Sequence, residues 1–65
     1  MMMSASDTQF VKAMMANNSA CIALCNKYLQ GSPADQRAQL VSMAKACVKE
    51  DTAENTAMAA MMKNG

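Results

Sequence analysis

A chain of 65 residues makes one domain that removes only about 60% of its unfolded surface from water, so its core is thin and a staple or a partner is expected. The 52% hydrophobic share overstates the building material, because alanine and nine methionines supply most of it and aromatic residues make up 3%. A net charge of +1 argues against nucleic-acid recruitment, and a chain with no histidine and two glycines lacks both a thiol-activating imidazole and a phosphate-cradling loop.

Residues 1–6 are expected to be a disordered N-terminus, with neither the basic nor the apolar segment of a secretory leader. Ser6-Asp7-Thr8-Gln9 has the form of a capping box, which starts a first helix over 7–30. Along it Val11, Met14, Cys21, Cys25 and Tyr28 recur at helical spacing, with Phe10, Ile22 and Leu29 beside them. Asn18 occupies a seam position of the same heptad, where a buried asparagine fixes register and oligomeric state by pairing with a partner's side chain. A break at Asn17 to Ser19 is the alternative, and the unbroken apolar phase favours the continuous helix. Ala13, Ala16, Ala20 and Ala23 line the opposite face, either as good helix formers or as a second close-approach surface.

The stretch "QGSPAD" stops one helix and starts the next: Gly31 suits a left-handed closing residue, Ser32 a cap, Pro33 a first helical position and Asp35 a second capping box. So short a connection predicts an antiparallel hairpin. The second helix is expected over 33–49, with Arg37, Leu40, Val41, Ala44, Cys47 and Val48 on its core side. Polar residues from Glu50 to Thr52 then predict a break and a short third helix over 52–63, capped by Asp51 with Glu54 and burying Ala57, Met58, Met61 and Met62. Acidic residues at the expected starts and lysines toward the expected ends complement the helix dipoles.

Chemistry centres on the three cysteines. Cys21 and Cys25 stand one turn apart on one face, while a turn placed at Gly31 and Ser32 sets Cys47 opposite Asn17 and Asn18, one to two turns away. On that alignment a three-sulfur cluster is strained and the cysteines act mostly as small buried hydrophobes. As metal ligands, Cys21, Cys25 and Cys47 fall short of the four donors of structural zinc, but Cu(I) accepts two or three soft ligands. The Cys-x-x-x-Cys spacing followed by "YLQGS" resembles, over the hairpin, the cysteine-lined four-helix copper-storage proteins. Those carry many such pairs and histidines, where this chain has one pair, Cys47 and no histidine.

The fold class read from these signals is all-α: an antiparallel helical hairpin plus a short third helix, assembling into a helical bundle by oligomerisation. No catalytic set and no resident cofactor are expected. The expected role is a small protein-protein interaction module, an inhibitor or adaptor acting as a homo-oligomer in the cytoplasm. Its adaptable contacts would be Met14, Met15, Asn18, Arg37, Met58, Met61 and Met62, with Met43 beside them. The competing class is sequestration of a soft metal by the cysteines, or of a small ligand by an inter-subunit pocket around Asn17, Asn18 and Arg37. No apolar run exceeds six residues, against about 20 for a bilayer span, so no membrane partner is expected.

Overall fold

A computed structural model of the chain describes residues 3–64. These form two long helices packed side by side, α1 over Ala5–Leu29 and α2 over Ala38–Asn64, joined by a connection that contains a single 3-10 turn at Pro33–Asp35. The body is a rod with extents of 50 × 15 × 14 Å. Among the described residues there is no strand, and no helix is long and apolar enough to cross a membrane.

α1 begins earlier than the capping signal at Ser6 suggests. Ser4 is the N-cap: its hydroxyl accepts from the Asp7 amide at 3.0 Å while the Asp7 carboxylate accepts from the Ser4 amide at 3.3 Å. A carboxylate at the third helical position meets the positive end of the helix dipole, an attraction that the neutral Gln9 amide cannot match. Residues 4–6 are therefore part of the helix or its cap, and Met1 and Met2 lie outside the described residues. Helix α1 then runs through Asn17 and Asn18 without interruption, and Ala13, Ala16, Ala20 and Ala23 all face solvent.

The connection differs from the expected tight turn. Gly31 is not left-handed; no residue among those described has a positive φ. What the glycine provides is room, since a Cβ there would lie 2.9 Å from the Gln36 side-chain amide, which donates to the Tyr28 carbonyl and ties the connection back onto α1. Pro33 and Asp35 form the 3-10 turn, Ser32 makes no side-chain cap bond, and α2 starts only after the Arg37 carbonyl accepts from the Leu40 and Val41 amides. The hairpin thus turns about the Pro33–Gln36 stretch, later than Gly31 and Ser32.

A separate third helix is absent. α2 continues through Glu50–Thr52 because the polar residues there have partners: Asp51 accepts from Cys47, Glu54 accepts from Asn18, and the Thr56 hydroxyl donates to the Thr52 carbonyl one turn back. With those groups satisfied, nothing favours leaving the helix. Asp51 and Glu54 are seam groups rather than caps.

The seam between α1 and α2 buries little. Among the described residues, Val11, Ala44 and Met58 are the buried hydrophobic ones and Asn18, 5% exposed, is the buried polar one. Asn18 donates through its side-chain amide to Glu54 Oε1 at 2.9 Å and Asn55 Oδ1 at 3.1 Å. Asn55 in turn donates to the Met15 carbonyl and to Ser19 Oγ, both at 3.2 Å. The seam asparagine therefore has its side-chain amide bonded within its own chain.

Replacing Asn55 with alanine strips Asn18 of one acceptor and Met15 of a donor, and is expected to destabilise the hairpin by about 1–3 kcal/mol. Asn17→Ala, on the exposed side of the same turn, is expected to change stability by less than about 0.5 kcal/mol. Urea unfolding of both variants checks this; equal effects would remove the polar lock from the account.

Candidate metal centre

The later turning point changes what meets what across the seam. Cys47 lies against Cys21, with Sγ atoms 3.1 Å apart, rather than one to two turns away beside Asn17 and Asn18. Cys25 completes a cluster in which the three Sγ atoms all lie within 4.8 Å of one another. The expected strain in such a cluster came from placing the turn too early. α1 presents two of the sulfurs on one face and α2 brings the third against them, all three half-buried.

Asp51 is the group that sequence reasoning missed. One turn beyond Cys47 on α2, its Oδ2 accepts from the Cys47 thiol at 3.3 Å. The i, i+4 spacing of the two residues was a visible signal, obscured by reading Asp51 as a helix cap. The hydrogen bond with Cys21, then those with Asp51 and Cys25, together with desolvation and the Asp51 charge, push the Cys47 thiol well above the usual thiol range. The resting state at neutral pH is a protonated Cys47, and any metal that binds there must displace its proton.

Beside the cluster, on the side toward the turn, a groove is lined by Leu24, Cys25, Tyr28, Leu40, Met43, Ala44 and Cys47. Three of its walls are large and open to solvent: Leu24 is 68%, Met43 63% and Leu40 47% exposed. Two of the cysteines thus line an apolar groove as well as forming part of the sulfur cluster.

The other residues singled out in the sequence fall in several places. Met58 is buried in the seam and Met14, Met15 and Met62 are half-buried, so they pack the hairpin; Met61 is exposed. Asn18 is consumed by its bonds to α2, and Asn17 points outward. Arg37 is exposed at the start of α2, whose core side begins with Val41 instead. Asn18 lies about 16 Å of helix below the end of α1, so one chain does not bring Asn17, Asn18 and Arg37 into a common pocket.

Because the folded Cys47 holds its proton above the ordinary thiol value of 9.0, the stability this contributes is complete below that pH and is lost as pH rises through and beyond it. Thermal unfolding of the reduced chain should therefore weaken toward alkaline pH more steeply than that of Cys47→Ser. Parallel pH profiles for the two proteins would contradict the assignment.

Comparison of the chain with protein-family models, with curated proteins and with solved structures gives no match.

Proposed function

We propose that the hairpin is a soft-metal module that holds Cu(I) through Cys21, Cys25 and Cys47. The observation carrying this is the convergence of three thiols, two from α1 and one 26 residues away on α2, to within 4.8 Å. Cysteines acting only as packing atoms have no need to gather. A three-coordinate thiolate site with metal–sulfur bonds of about 2.3 Å sets its sulfurs about 4 Å apart, so the cluster needs adjustments of about 1 Å and no change of fold. With three sulfurs and no histidine, the donor set suits a monovalent soft ion better than a four-coordinate zinc site. Asp51 acts from outside the ligand set, holding the Cys47 proton in the free state and making uptake pH-dependent.

A second reading concerns assembly and has its own support. A hairpin that, among the described hydrophobic residues, buries only Val11, Ala44 and Met58 while leaving Leu24, Leu40 and Met43 open beside one groove has unpartnered apolar surface where two α-hairpins can join into a four-helix bundle. The occupant is a second copy, packed isologously so that each copy's groove receives the other's Leu24 and Met43. Phe10, 64% exposed, and Met61, 49% exposed, leave a further apolar surface near the open end for an interaction or adaptor role on a larger protein.

Anaerobic titration of the reduced chain with Cu(I), in competition with a chromophoric chelator, tests the first reading. One ion per chain is expected, with sulfur-only coordination by X-ray absorption. Serine at position 25 or 47 should weaken uptake by more than about tenfold. Uptake unchanged in the Cys25→Ser, Cys47→Ser double variant would defeat it. Light scattering across a dilution series tests the second: a dimer is expected, converted to monomer by Leu24→Glu, and a wild-type monomer at all concentrations would defeat that reading.

A further inference from the structure

The closest sulfur pair in the cluster has a property that metal binding does not require. Cys21 and Cys47 sit on different helices with Sγ atoms 3.1 Å apart, so a bond of about 2.05 Å needs an approach of about 1 Å from two side chains that already point at each other. Cys21 and Cys25 are four apart on one unbroken helix, where the backbone holds the two side chains in a relation that strains a disulfide dihedral. All three thiols are free and half-buried, within reach of a small solute.

We infer that Cys21 and Cys47 form a modification site, closing into an intrachain disulfide that staples α1 to α2 when the reduced chain meets a small disulfide of the glutathione type, with Cys25 left as a free thiol. The exchange balances in two displacements. The Cys21 thiolate attacks one sulfur of the oxidised tripeptide, its S–S bond breaks, and one glutathione leaves as a thiolate that takes a proton from water. Cys47 then gives its proton to solvent and attacks the Cys21 sulfur, expelling the second glutathione. Two protein thiols are oxidised and one glutathione disulfide is reduced to two thiols. Cys47 is the second nucleophile because its Sγ already lies 3.1 Å from the Cys21 sulfur that carries the glutathione.

The staple joins the helices between the turn and the Asn18–Asn55 lock, so it is compatible with the hairpin register and stiffens it. It also removes two of the three ligands proposed for Cu(I). That consequence rests on the metal reading, whereas the cross-link itself does not.

The test uses the full chain, reduced, freed of metal by a chelator, and incubated with glutathione disulfide at neutral pH before alkylation. Protease cleavage after lysine leaves Cys21 and Cys25 on one peptide and Cys47 on another, and fragmentation of the linked pair places the bond. The expected product is an intrachain Cys21–Cys47 link that outweighs all other pairings combined, alkylation at Cys25 and a raised melting temperature. Cys25→Ser should close as the wild type does, and Cys47→Ser should stop at a glutathione adduct, with circular dichroism verifying that both variants stay helical. A predominant Cys21–Cys25 link, a link between chains, or persistent adducts in the wild type would overturn the proposal. Copper titration of the same samples separates the two claims. A cross-link in a chain that takes up no Cu(I) when reduced sinks the metal reading alone, and Cu(I) uptake without any cross-link sinks this one alone.

Discussion

The fold depends on one buried polar contact, the pairing of Asn18 on α1 with Glu54 and Asn55 on α2. Two helices rich in alanine and methionine can slide past one another at little loss, since small and flexible side chains fit many registers. The side chains of Val11 and Met58, worth at most about 1.5–3 kcal/mol each, and the smaller Ala44 set only a weak preference among those registers. A displacement by one turn, about 5.4 Å, leaves a buried amide without its acceptors at about 1–3 kcal/mol and separates Cys21 from Cys47 by the same distance. The lock therefore selects the register, and the register assembles the sulfur cluster. The cluster is a consequence of polar specificity in the seam rather than of tight apolar packing.

Layered along the rod, the seam has a division of labour. Near the turn it is apolar and open, with Leu24, Leu40 and Met43 exposed around the groove; next come the three thiols with Asp51; then the amide lock; then the methionines and Val11 toward the free ends. The thiols therefore lie between an open apolar end and a hydrogen-bonded polar middle.

Much of this architecture was legible in the sequence, and the errors share a cause. The seam of α1 stands out because Val11, Met14, Asn18, Cys21, Cys25 and Tyr28 follow a strict three-four spacing, and all are buried or half-buried. The seam of α2 follows the same rule through Val41, Ala44, Val48, Asp51, Asn55, Met58 and Met62, but Asp51 and Asn55 are polar, so the pattern reads as a break and its polar members as caps. Their pairing with α1 is a tertiary fact that no local pattern carries. The misplaced turn has a similar origin. Gly31 and Pro33 are strong stop and start signals, yet the chain uses Gly31 for clearance beneath Gln36 and Pro33 for a 3-10 turn, and the few residues added before α2 move Cys47 by one to two turns. The thiol cluster was hidden by that offset alone.

The central claim is that the amide lock holds Cys47 opposite Cys21 within one chain. Nuclear Overhauser contacts in the reduced, metal-free protein measure it directly, recorded on a mixture of labelled and unlabelled chains so that contacts within a chain are separated from those between chains. The account predicts intrachain contacts from the Asn18 side-chain amide to Glu54 and Asn55, and between the β protons of Cys21 and Cys47. Cys21 contacting Val41 to Met43 instead, or Asn18 contacting its counterpart in another chain, would contradict it.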